Sequence, residues 1–223
     1  MPFTGSRTYS GNITVHCWDM TEDSRQLQQM CRSLGLDWQC DAKAESRRRE
    51  IFAERLLLKE IFGNDASLMH NDDLAPFLRR IKQKISIAHA RGRLCVAVGN
   101  ATQCFGIDIE THRPRVLNVR DGFLNDNEKR WIEASDSLSH MIAWTAKEAV
   151  FKAISERSLI KEYRNQIVLS EFSLPATDEF TLTHRSRFIP KDEKPQREFT
   201  LISEISPHYI FTIATCGISE RFA

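Results

Sequence analysis

Trp144-Thr145-Ala146-Lys147-Glu148-Ala149-Val150-Phe151-Lys152-Ala153 sets small residues at helical spacing on one side and charge on the other. Ile142, Ala146, Ala149 and Ala153 form a narrow stripe that suits a helix pressed closely against a neighbour. Glu148 and Lys152 stand one turn apart on the opposite face, with Thr145 beside them. Upstream, Gly106-Ile107-Asp108-Ile109-Glu110 reads as a strand. Residues two apart in a strand share a face, so Asp108 and Glu110 project together while Ile107 and Ile109 pack behind them. Two adjacent carboxylates repel unless a cation or a proton lies between them. Oxygen-only ligands favour Mg²⁺ or Mn²⁺ over zinc, and Mg²⁺ sites combine carboxylates with substrate phosphates. Taken singly, each cluster has a plainer explanation: a solvated strand end, or a surface Glu–Lys pair worth about 0.3–0.5 kcal/mol.

Working outward, Ile13 to Trp18 alternates as an opening strand, and a helix is expected from Ser46 to Phe62, closed by Gly63-Asn64. Ile85 to Val98 reads as a hairpin turning near Arg91-Gly92-Arg93, and Cys104 to Glu110 as a further strand. Helices are expected over Asn125 to Ser135, with Asn125 or Asp126 as cap, and over Ser139 to Ser155. Gln166 to Cys216 reads as several strands. A helix followed by a hairpin thus occurs twice, a likeness of pattern and not of residues.

Cationic groups recur in the first part of the chain. Arg48, Arg55 and Lys59 share one face of the first long helix, with Phe52 among them and Arg47 and Arg49 alongside. His89 and Arg91 flank a hairpin turn, where imidazole and guanidinium could hold phosphate. The other histidines show no ligand spacing. Across the 223 residues, 31 Lys and Arg face 30 Asp and Glu, a net charge of +1. That balance argues against a surface built as a whole to hold nucleic acid or an anionic membrane. The opening residues lack the apolar core of a signal peptide, and no stretch approaches the ~18 apolar residues of a membrane-spanning helix. The six cysteines have no CxxC or zinc-finger spacing and read as reduced core thiols, so the expected location is cytoplasmic.

Together these segments resemble the 4′-phosphopantetheinyl transferase superfamily, in its larger, single-chain, surfactin-synthetase-activating form. That family pairs a G-[IV]-D-x-E strand with a later [WF]-[ST]-x-K-E-[AS]-x-x-K helix. Gly106 to Glu110 and Trp144 to Lys152 match every fixed position. Ser86-Ile87-Ala88-His89 is similar to the family's I-S-H strand, and Phe123-Leu124-Asn125-x-x-Glu128 to its F-[LF]-[ST]-x-x-E turn. Glu204 to Tyr209 is similar to its final hairpin. The chain departs at Ala88, where Ser is common, at Leu74-Ala75-Pro76 in place of Gly-Lys-Pro, and at Ser155 to Ser158, where glycines are usual.

The resemblance implies an α+β fold of two similar pseudo-symmetric halves, about 1–104 and 105–223, forming one transferase unit. Each half would be a small antiparallel sheet packed by a long helix, with the active site at their junction and a monomer as the natural state. It implies transfer of phosphopantetheine from coenzyme A to a serine of an apo acyl or peptidyl carrier protein, releasing 3′,5′-ADP. Asp108, Glu110 and Glu148 would hold Mg²⁺, with Mn²⁺ as a substitute; Glu148, Lys152 and Asp108 would be catalytic. Arg48, Arg55 and His89, with Asp108 and Lys152, would bind coenzyme A. Nucleic acid and membrane are not expected partners. The rivals are a metal-dependent phosphohydrolase or nuclease using the same acids, and a non-catalytic module that binds coenzyme A or a carrier.

Overall fold

The computed structural model describes residues 3–36, 40–191 and 195–217, and divides into two compact units, 1–102 and 103–223. The architecture is α+β, with antiparallel sheets and several helices. Among the described residues, no helix is long and apolar enough to cross a membrane.

The first unit opens with strands β1 (Phe3–Tyr9) and β2 (Ile13–Asp19). Helix α1 (Ser24–Ser33) follows, started by a capping box in which Asp23 and Gln26 satisfy each other's backbone N–H groups. Helix α2 (Glu45–Phe62) ends at Gly63, whose φ of 66° lies in the left-handed region that glycine adopts without cost. A small ribbon, β3 (Leu68–His70) with β4 (Pro76–Leu78), precedes the hairpin β5 (Gln83–Ala90) and β6 (Arg93–Asn100). The main sheet runs β1-β2-β6-β5. Phe52, Leu56 and Leu57 of α2 bury themselves with Trp18, Leu94, Val96 and Val98 on one face of it.

The second unit begins with β7 (Phe105–Thr111), then two single-turn helices, α3 (Arg120–Phe123) and α4 (Glu128–Trp131). The long helix α5 (Ser137–Ala153) starts on Asp136, whose carboxylate accepts the N–H groups of Leu138 and Ser139. After the short α6 (Tyr163–Gln166) come β8 (Ile167–Leu169), β9 (Phe180–Phe188), β10 (Arg197–Ile205) and β11 (Tyr209–Cys216). The antiparallel sheet runs β7-β11-β10-β9-β8. The stripe of Ile142, Ala146, Ala149 and Ala153 joins Phe199, Leu201, Ile210 and Ala214 in one core.

Two local differences from the sequence reading have clear causes. The helix expected over Asn125 to Ser135 is reduced to α4, because Ile132 is already extended at φ −89° and ψ 113°, and Glu128 of α4 turns inward. Its carboxylate accepts N–H bonds from Asn125 at 2.9 Å and from Leu169 at 2.8 Å, and pairs with Lys147 at 2.7 Å. Thr145, expected beside Glu148 and Lys152 on the charged face, is fully buried and meets Thr212 of β11 at 3.1 Å. Strand β1 and the β3–β4 ribbon carry weak local patterns and were not legible in the sequence. Helix α1 was missed although Asp23 and Gln26 carry a capping-box signal that could have found it.

Candidate active site

Gly106 sets how close α5 can come to β7. A Cβ there would stand 2.3 Å from the Ala149 carbonyl oxygen and 2.4 Å from the Ala153 nitrogen. With no side chain in the way, helix backbone rests on strand backbone, and the next residues on that face, Asp108 and Glu110, come under α5. Ile107 and Ile109 are buried on the other face.

Lys152 Nζ lies 2.7 Å from Asp108 Oδ1, and both side chains are largely buried. The lysine thus reaches across to the strand. Glu110 receives the Trp144 indole N–H at 3.3 Å and an ion pair from Arg113. Glu148 receives the Tyr163 hydroxyl at 2.7 Å. Burial raises the Glu110 carboxyl above its ordinary range, Asp108 adds to this, and Arg113 and Trp144 oppose it. Burial likewise raises Glu148, with the Tyr163 hydrogen bond opposing and the charges of Asp108 and Glu110 reinforcing. Three carboxylates therefore feel one another in a partly desolvated place.

Beneath them Lys147, fully buried, pairs with Glu128 and also donates to the Arg164 carbonyl at 3.1 Å. The Gln166 side chain accepts the N–H groups of Lys161 and Glu162 and donates to the Leu159 carbonyl. These bonds hold the loop that delivers Tyr163 to Glu148. Sequence reasoning gave no role to Trp144, Arg113, Tyr163 or Lys147. Arg113 had a faint signal three residues beyond Glu110; Tyr163 had none.

The remaining candidates belong to the first unit. Arg48 donates to Ser24 Oγ at 2.9 Å and lies 3.5 Å from Glu45. Arg55, further along α2, bears electrostatically on Cys31 and Glu54. His89 of β5 places Nδ1 3.5 Å from Glu50 and Nε2 3.4 Å from Arg47. Asp108, Glu110, Glu148 and Lys152 form one cluster in the second unit, whereas Arg48, Arg55 and His89 are held by separate partners in the first.

Residues 104–214, the segment holding this cluster, match the model of the 4′-phosphopantetheinyl transferase superfamily. The chain belongs to that superfamily. The family implies a transferase of the phosphopantetheinyl type. Comparison with curated proteins returned no match.

As a place for a divalent ion, the cluster has the right chemistry: three carboxylates, no thiol and no imidazole, suited to a hard cation. Among the described residues no three acidic, His or Cys side chains already stand at ligand spacing. Each carboxylate instead holds a protein donor, so side-chain rotation is needed before the three can share one ion.

Proposed function

We propose that this phosphopantetheinyl transferase is of the larger surfactin-synthetase-activating type and acts on carrier proteins. It moves 4′-phosphopantetheine from coenzyme A to a serine of an apo acyl or peptidyl carrier protein and releases 3′,5′-ADP. The observation that carries this reading is Lys152 on Asp108, with Glu110 and Glu148 close by, in the segment that matches the family.

The serine oxygen forms a bond to the β-phosphorus of coenzyme A while the bond from that phosphorus to the bridging oxygen of the ADP moiety breaks. Asp108, Glu110 and Glu148 are the residues that would hold Mg²⁺ or Mn²⁺. Such an ion, when bound, neutralises charge on the pyrophosphate. Lys152, which here neutralises Asp108, supplies its charge to the phosphate oxygens as negative charge builds on them. Glu148 takes the serine proton, its readiness as a base helped by burial and trimmed by Tyr163. Arg48, Arg55 and His89 supply cationic groups for the outlying phosphates, including the 3′-phosphate. The enzyme works as a monomer in this reading.

Incubation with coenzyme A, Mg²⁺ and a panel of apo carriers, read by intact mass, tests it. The expected result is a carrier heavier by one phosphopantetheine on its serine, and no gain after chelation. Unmodified carriers with hydrolysed coenzyme A, or cleaved nucleic acid, would transfer the site to the phosphohydrolase or nuclease reading.

A further inference from the structure

Cys17 of β2 and Cys95 of β6 are direct register partners in an antiparallel ladder. Such partners hold their Cα atoms about 4.5–5.5 Å apart. A disulfide spans about 4.4–6.8 Å between Cα atoms, so the backbone is already in place for one. Side chains alternate along both strands, and Trp18, Leu94 and Val96 occupy the face that packs α2. The two thiols therefore leave the sheet on the same, opposite face. Cys95 is fully buried and Cys17 only partly, so a reagent in solution meets Cys17 first. Two residues along the same face, Arg93 lies 3.5 Å from Asp19. The hydrogen bond with Cys95 and the Arg93 charge draw the Cys17 thiol below its ordinary value, against the effect of burial. The same hydrogen bond and burial hold the Cys95 thiol well above its own, so Cys17 is the thiol that ionises first. All six cysteines are thiols in the structure. Cys216 also stands opposite Cys104, donating its N–H to the Cys104 carbonyl at 2.9 Å just past the β7–β11 ladder. Those two thiols engage the Gly217 and Ala153 carbonyls, whereas the Cys17 and Cys95 thiols engage each other.

We infer that Cys17 and Cys95 are a site of reversible oxidative modification, closed to a disulfide by a low-molecular-weight disulfide such as glutathione disulfide. The Cys17 thiolate attacks one sulfur of the reagent, forming a mixed disulfide and expelling one glutathione thiolate. Cys95 then attacks the Cys17 sulfur, closing the protein disulfide and expelling the second glutathione. The protein loses two electrons and two protons, and the reagent becomes two thiols. The bond staples the β1–β2 hairpin to β6 and closes a long loop, so the oxidised chain melts higher than the reduced one. Neither cysteine takes part in the proposed transfer.

The test holds the native full chain in glutathione buffers of graded ratio, alkylates remaining thiols, and maps tryptic peptides. Peptides 8–25 and 94–115 should become joined through Cys17 and Cys95, with Cys104 on the second peptide alkylated. Before alkylation the chain should be lighter by about 2 Da, and dithiothreitol should reverse the change. In Cys95→Ser, glutathione should stay on Cys17, because no thiol stands opposite to displace it. Alkylation of both cysteines throughout the series, a lasting glutathione adduct on Cys17 in the wild type, or a disulfide to any other cysteine would each overturn the assignment.

Discussion

Lys152 separates a site from a surface helix. As half of a surface pair with Glu148 it would matter by tenths of a kcal/mol. Its partner is instead Asp108, only 6% exposed, so removing the lysine leaves a buried carboxylate short of its counter-charge. Lys152→Ala is expected to lose about 1–3 kcal/mol of stability. It should also lose roughly 10²-fold or more in turnover, because the lysine charge meets charge that grows in the transition state. Carrier modification measured well below both melting temperatures checks this. A full rate in the folded variant would reduce Lys152 to a structural counter-ion. At the same scale, Glu148→Gln removes one of three mutually repelling, partly desolvated acids. The raised Glu148 pKa means that the folded state holds this proton more tightly than the unfolded chain. Its ionisation therefore weakens the fold once pH exceeds the unfolded carboxylate range, and causes no loss below it. The variant should melt higher than wild type at neutral pH, with the gap closing in acid. Thermal scans across pH decide it.

At the scale of elements, two contacts hold α5 in place. The first is Gly106, where Gly106→Ala would drive a methyl into helix backbone on both sides. Overpacking of this kind costs about 1–3 kcal/mol, and more where backbone cannot yield. It should also part Lys152 from Asp108, so transfer should fall further than in a variant of equal stability altered elsewhere. The second is the buried pair Glu128–Lys147, which ties α4, α5 and β8 together. Burial pulls the Lys147 pKa down and Glu128 opposes it, as for a cation that keeps its charge through its partner. Lys147→Met should cost about 3–5 kcal/mol by leaving that carboxylate uncompensated. Adding Glu128→Gln should recover part of the loss, since the amide oxygen still accepts a backbone N–H. Denaturant unfolding of the single and double variants measures the coupling.

For the molecule as a whole, His184 sets a limit on acid tolerance. It is buried on β9 with Nε2 2.9 Å from Ser203 Oγ and its ring against Phe172. Ser203 in turn meets Thr212 at 2.8 Å and Thr212 meets Thr145, so one polar chain crosses from β9 to α5. Burial lowers the His184 pKa from its ordinary 6.5 to about 4. The unfolded chain therefore takes up a proton that the fold refuses. Stability tied to this group is complete above pH 6.5 and is lost as pH falls toward about 4. The loss is on the order of 3 kcal/mol. His184→Gln keeps a partner for Ser203 without titrating, so its unfolding free energy should fall less across that interval. Parallel slopes for the two proteins would remove His184 from the account.

The sequence by itself determined the periodic parts. Small residues every third or fourth place made α5 a close-packed helix, alternation made β7 a strand with Asp108 and Glu110 on one face, and Gly63 marked the end of α2. These are local signals, carried by neighbours in the chain and readable without knowing where it returns. Partner choice was settled only in the tertiary structure. Lys152 faces Asp108, Lys147 is sunk against Glu128, Tyr163 reaches Glu148, and Cys17 lies opposite Cys95. Each of these pairs joins residues from separate elements or from a distant loop. The charged face of a helix reads the same whether water or a buried carboxylate lies across from it, and only the packing of strand on helix decides between them.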